Sequence, residues 1–278
     1  MRTFHAVTLA LLVAATHGAC GLGAGDVTIT TFGEAFIEQQ IPAAAPDGEG
    51  VVDGYTIEYT KFLLALSRVH IAESGGAEGA AMSEQKIFDL KKPGPHDVVD
   101  FTSVQARRWD DIGADTLRAH GAIAGNASAE DVELMNGRGW VLYVEGVATK
   151  GAQRYTFRWG FTEETRYRGC VDADEKAGVV VPAGGHTTAQ LTIHGDHLFF
   201  DDLASDQAKL RFSAFAAADT NGDNEVTLAE LDAVDLTTLP IDQYGTGANG
   251  TVHTLRDFVT AQTRSLVHFQ GEGHCNIR

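Results

Sequence analysis

The chain has 278 residues, 38 acidic against 21 basic, a formal net charge of −17 and 44% apolar residues. That is the composition of a globular protein, with enough chain for one large or two smaller domains. An acidic chain with no run of lysine or arginine is repelled by phosphate, which argues against DNA or RNA as a partner.

At the amino end, Arg2 precedes an apolar run from Ala6 to Ala15, and the small residues Gly18 and Ala19 stand before Cys20. This order predicts a secretory signal peptide over residues 1–19 and an extracytoplasmic protein. No later stretch has the run of about eighteen apolar residues that a membrane helix needs. Gly18-Ala19-Cys20 resembles the end of a bacterial lipobox, although His17 stands where leucine is usual. The resemblance implies a lipid on Cys20 that anchors the chain to the cell envelope. The alternative is ordinary cleavage nearby and a secreted protein. Cys170 and Cys275 then remain as an even pair in an oxidising compartment, and a disulfide between them is expected.

From Asp26 to about Ile193 the apolar residues mostly repeat every second position. Val27–Thr30 and Tyr55–Tyr59 alternate, whereas Phe62–Leu66 is apolar on both faces and predicts a strand buried between two layers. Lys61 shifts the phase between those two runs, which predicts a bulge there. Trp140–Val144 and Tyr155–Trp159 flank Thr149-Lys150-Gly151 as a hairpin, and Val179–Val181 and Leu191–Ile193 add further strands. Short helices are expected at Asp115–Arg118 and at Ala129–Met135, the latter capped by Ser128. A helix is predicted over 205–218 with Ser205 as its cap. Another starts at Thr254, where Asp257 completes a capping box, and continues through Leu266. The fold class is α+β: a mostly antiparallel β-sandwich over 20–200, then a small helical region over 201–278 tethered by Cys170–Cys275.

Between the two late helical segments lies Asp219-Thr220-Asn221-Gly222-Asp223-Asn224-Glu225-Val226-Thr227-Leu228-Ala229-Glu230. Oxygen-bearing side chains alternate at Asp219, Asn221 and Asp223, so a tightly turning backbone aims all three at one point. Glu225 offers a backbone carbonyl, Thr227 acts through water, and Glu230 closes the sphere with both carboxylate oxygens. The run resembles the calcium loop of the EF-hand family over residues 206–236, and the resemblance implies Ca2+ held by these six residues. Asn224 replaces the usual glycine at the sixth position, where the turn needs positive φ. Asparagine tolerates that conformation, so weakened rather than lost binding is expected, in the range of about 10⁻⁴ to 10⁻³ M. EF-hands ordinarily pair, and Tyr244–Val252 has the outline of a second loop without acidic ligands. As a pseudo-hand it would meet the first through Val226 and Val252.

Six of the eleven histidines follow residue 185. His194 and His197 form a His-x-x-His, and the Cys170–Cys275 bridge is expected to bring His274 toward them. Imidazole with carboxylate suits zinc or copper, so Zn2+ or Cu2+ at His194, His197 and His274 is the second candidate site. On one strand, residues three apart face opposite ways, so the pair requires a turn beginning at Gly195. The strands Phe62–Ile71 and Ile87–Leu90 resemble those of the MbnP-type bacterial lipoproteins, which handle copper in the periplasm. These are strand patterns without ligand residues, so copper chemistry is not carried over. The chain has no Gly-x-Ser-x-Gly elbow, P-loop lysine or His-Glu-x-x-His, and an enzyme is the less expected reading. The expected function is a calcium-stabilised extracytoplasmic structural or binding module, with transition-metal handling at the late histidines as the alternative.

Overall fold

The computed structural model describes residues 23–46 and 48–278; the expected signal peptide and Cys20 lie outside the described residues. In chain order the strands are β1 (Ala24–Gly33), β2 (Thr56–Ala72), β3 (Glu78–Ala81), β4 (Lys86–Asp89), β5 (His96–Gln105), β6 (Arg108–Trp109), β7 (Asp111–Thr116), β8 (Ile123–Ala124), β9 (Leu142–Lys150), β10 (Gln153–Phe161), β11 (Thr165–Val171), β12 (Val179–Val180), β13 (His186–Ile193), β14 (Glu225–Val226), β15 (Val267–Phe269) and β16 (His274–Ile277). The helices are α1 (Ala35–Glu38), α2 (Ala129–Arg138), α3 (Ser213–Ala218), α4 (Leu228–Asp232) and α5 (Leu255–Gln262).

The alternating and continuous apolar runs join into one long strand, β2. Tyr59 and Lys61 flank a register shift against β9, where the change of phase predicts a bulge. Along β2, Ile57, Tyr59, Phe62, Leu64 and Leu66 enter the main core. Leu63 and Ala65 point the other way, into a smaller apolar cluster with Ile87, Met135 and Tyr143. A strand covered on both faces needs apolar residues at consecutive positions, hence Phe62–Leu66. Met135 belongs to α2, which starts where Ser128 accepts from the Asp131 N–H and ends at Gly139 in the left-handed conformation. Lys61 reaches Asp131 of α2 as an ion pair.

Two sheets share the main core. One runs β15-β13-β1-β5, with β1 and β13 parallel and the other pairs antiparallel. The larger runs β14-β10-β9-β2-β7-β11-β16, with β3 and β4 on β2 and β8 on β4. The fold is therefore β-rich α+β. The late segment does not stand apart from the sheets: β15 extends the smaller one and β16 edges the larger, and Phe212, Phe215 and Phe258 enter the same core as Tyr59 and Trp159.

Three local expectations are corrected. Asp115 and Thr116 end strand β7 rather than opening a helix; β2 and β11 pair with β7 on either side, and that ladder outweighs a weak local helical signal. The helix expected over 205–218 forms only at Ser213–Ala218, because Leu210 is drawn into bridges with Val51 and Phe200. α5 has the expected Thr254–Asp257 capping box but ends at Gln262; Thr263–Ser265 tighten into a 3₁₀ turn before Val267–Phe269 extend as β15.

The disulfide forms as expected, Cys170 of β11 to Cys275 of β16, across 105 residues of sequence. In the chain-entropy account, a loop of that size contributes about 4.7 kcal/mol.

Candidate metal centre

The parallel pairing of β1 with β13 sets Gly33 beside Ile193, so the next residues, Glu34 and His194, leave the sheet at the same end. Antiparallel β15 sets His268 opposite Thr192. Side chains two apart on a strand share a face, so His194 and His268 are diagonal neighbours on one surface. The chain then turns. Gly195 precedes a 3₁₀ turn over Asp196–Phe199 that carries His197 back toward the sheet, which is the turn the His-x-x-His spacing requires. A Cβ on Gly195 would lie 2.4 Å from Ile37 Cγ1 and 2.9 Å from Tyr59 Cε2, so only glycine allows this approach. The Tyr59 hydroxyl donates to the Gly195 carbonyl at 2.6 Å and anchors it.

His194, His197 and His268 converge. Their ring centroids are 4.0 Å apart for His194–His268, 5.0 Å for His197–His268 and 5.3 Å for His194–His197. One ligand nitrogen from each lies within 4.8 Å of the others. His197 Nδ1 stands 2.9 Å from Ser265 Oγ. Ser265 spends its only hydroxyl proton on the Gln262 carbonyl at 2.9 Å, so it accepts from an Nδ1–H. That leaves Nε2 of His197 unprotonated, the form that binds a metal. His194 Nε2 lies 3.1 Å from Glu34 Oε1, a carboxylate–imidazole pair of the kind that orients metal-ligating histidines. His268 Nδ1 is buried with no hydrogen-bond partner among the described residues.

The electrostatics agree with the packing. Burial, reinforced by His268 and His194, pulls the His197 imidazole down to about 3. Burial, with His194 beside it, pulls His268 down to about 4. Both are neutral, and so available as ligands, through the physiological range. For His194 burial works downward, but the hydrogen bond and charge of Glu34, aided by Asp196 and Glu272, leave it raised above the ordinary value. Burial raises the Asp196 carboxyl to about 6 against the opposing pull of His194.

His274 lies outside this group, which corrects the expected ligand set. It opens β16 opposite Val171, is exposed, and stands 4.0 Å from Glu175. The disulfide secures β16 to β11 of the larger sheet, while the turn before it leaves His268 on the smaller sheet. His268, absent from the expected set, sits just past the expected helix in Val267-His268-Phe269, whose short alternation is its only local strand signal. Glu34 carries no local signal at all.

The acidic loop has its own geometry. Asp219 closes α3 and accepts from the Gly222 and Asn224 N–H groups at 2.8 and 3.0 Å. Asn221 Oδ1 accepts from the Asp223 N–H, and Asp223 Oδ1 from the Glu225 N–H, both at 2.8 Å. Asn224 has φ 63°, the positive value that position six demands. Thr227 caps α4, and Glu230 Oε2 accepts from both the N–H and the hydroxyl of Thr227 at 2.9 Å. The other oxygen, Glu230 Oε1, is buried without a partner among the described residues. The flanking helices are short, six residues in α3 and five in α4. Glu225 also directs its side chain outward to Arg158.

The paired-loop expectation is corrected. Glu225-Val226 forms β14 and pairs with Thr156-Phe157 of β10, and the Val226 carbonyl accepts from Trp159 Nε1 at 2.8 Å. The loop thus docks on the larger sheet where an EF-hand partner loop would otherwise lie. Tyr244-Gly245 instead packs beside Asp201-Asp202, with Gly245 bridged to Asp202.

No protein-family model, curated protein or solved structure matches the chain.

Proposed function

We propose that this chain is an extracytoplasmic metal-handling protein that holds one zinc or copper ion on His194, His197 and His268, with Glu34 orienting His194. The observation that carries this reading is the convergence of the three imidazoles, one ligand nitrogen from each within 4.8 Å of the others, with His268 Nδ1 buried and unpartnered among the described residues. A buried polar atom without a hydrogen bond costs about 1–3 kcal/mol, and a metal bond to that nitrogen relieves the cost. Neutral imidazoles with a carboxylate behind them suit zinc and copper and are poor ligands for calcium or magnesium. The disulfide and the signal-peptide-like first nineteen residues support a site of action outside the cytoplasm.

The test is metal content after loading with zinc or copper and desalting. Wild type retains about one ion per chain, His274→Ala does the same, and His268→Ala loses it. Retention of a full equivalent by His268→Ala sinks the assignment.

The loop Asp219–Glu230 supports a second reading, Ca2+ bound by Asp219, Asn221, Asp223, Glu225, Thr227 and Glu230. The specific observation is the buried, unpaired Glu230 Oε1, which a bidentate calcium contact would satisfy. Calcium there has a structural role: it fixes α3 and α4 against β10 and the aromatic cluster of Trp159 and Phe215.

A further inference from the structure

A cleft of about 690 Å³ opens beside His194, the one of the three imidazoles that lines it, and Asp196 stands in its wall with Glu34 and Glu272. Glu34, His194 and Glu272 form a second group whose ligand atoms all lie within 4.8 Å of one another. This group shares His194 with the buried one but differs in kind. Two of its three ligands are carboxylates, and Glu272 is exposed. Asp196 adds an independent sign of a missing partner. It is only 9% exposed, it lines the cleft, and its Oδ1 is buried with no hydrogen bond among the described residues. Glu49 and Asp206 also line the cleft, with Lys209 the one lysine among the described lining residues.

We propose that Glu34, His194 and Glu272 form a capture position, through which a divalent transition-metal cation passes from the cleft to the buried imidazoles. The inference rests on reading those imidazoles as a transition-metal site. A concave surface lined by carboxylates concentrates cations and raises their rate of arrival. Oxygen ligands hold a hydrated first-row cation loosely, whereas imidazole nitrogen binds zinc, copper and cobalt more strongly, so exchange runs inward. His194 belongs to both groups, so a cation captured at the cleft wall is already in contact with a ligand of the inner position. Asp196, close enough for its charge to act on His194, offers its unpaired oxygen along the way.

The test follows cobalt(II) uptake by stopped-flow absorption, since the visible spectrum of the ion reports imidazole ligation. Glu272→Gln removes the exposed carboxylate of the capture position and leaves the pair of Glu34 with His194 in place. Uptake is expected to slow at least tenfold, with the final spectrum of wild type. Glu49→Gln/Asp206→Asn removes two charges from the lining of the same cleft without touching the group, and should slow uptake by about threefold at most. Wild-type uptake by Glu272→Gln, or equal slowing by Glu49→Gln/Asp206→Asn, overturns the proposal. Failure of the underlying reading looks different: His197→Ala/His268→Ala would then reproduce the wild-type cobalt spectrum, or wild type would develop none.

Discussion

The acidic loop and the imidazole cluster are assembled by opposite routes. Asp219 to Glu230 collects its oxygens from consecutive residues, holds them by backbone N–H bonds to its own carboxylates, and leaves Asp223 and Asn224 exposed. His194, His197 and His268 come from the end of β13, a 3₁₀ turn and β15, and they meet only once two strands have paired and Gly195 has packed on Ile37 and Tyr59. The loop therefore depends on local turn chemistry, and the cluster depends on the tertiary fold. The first tolerates changes elsewhere in the molecule; the second should feel any loosening of β15 or β16.

The largest expected effect exploits that difference. Cys170→Ser/Cys275→Ser removes the tie on β16, a few residues beyond His268 and Glu272. Stability should fall by about 4 kcal/mol, on the scale of the lost loop-closure constraint. Zinc affinity should fall with it, while the calcium-dependent rise in unfolding midpoint persists in whatever fraction stays folded. Parallel loss of both responses in denaturant titrations would mean that the two regions are not separable.

Next in size is calcium itself. At a free concentration about one hundred times Kd, a ligand bound only by the native state adds about 2.7 kcal/mol. Ten millimolar calcium should raise the unfolding midpoint of wild type and leave Glu230→Gln unmoved, with zinc retention equal in the two. A calcium response that survives Glu230→Gln would place the ion elsewhere.

The pH response belongs to the cluster. His197 and His268 have native pKa values of about 3 and about 4, below the usual 6.5 of an unfolded chain, so the unfolded state takes up protons first as pH falls. Their contribution to stability is complete above about pH 6.5 and is lost progressively toward pH 4. Asp196, raised to about 6, acts the opposite way between about pH 4 and 6, and two imidazoles outweigh one carboxyl. With chelator present, the unfolding midpoint should drop across that window, and His197→Leu should flatten the drop. An unchanged slope in His197→Leu would show that this imidazole does not titrate as a buried group.

The smallest effect tests a single torsion. Asn224 occupies φ 63°, a region that costs a side-chain-bearing residue more than glycine. Asn224→Gly should tighten calcium binding by a few-fold, worth about 1 kcal/mol or less, and leave zinc untouched. Weaker calcium binding in that variant would mean that the Asn224 side chain does more than tolerate the turn.

What could be read in the sequence follows the same division. The positive φ at Asn224, the Ser128 and Thr254 caps, the bulge beside Lys61 and the turn at Gly195 are all encoded within a few residues, and each is where the local pattern places it. The cysteine pairing followed from counting. His268 was hidden because Val267–Phe269 is only three residues long, and tertiary pairing with β13 is what makes it a strand. Glu34 joins the site through the parallel register of β1 with β13, which no short pattern announces. His274 was misplaced because a disulfide specifies which cysteines meet and not which sheet the neighbouring side chains face.

The central claim is that three imidazoles from three elements bind one transition-metal ion. Crystals grown with zinc and measured on either side of the zinc absorption edge test it most directly. The account predicts one strong anomalous peak about 2.0–2.1 Å from a ring nitrogen of each of His194, His197 and His268. A peak at His274, or none near His268 at full zinc occupancy elsewhere, would contradict it.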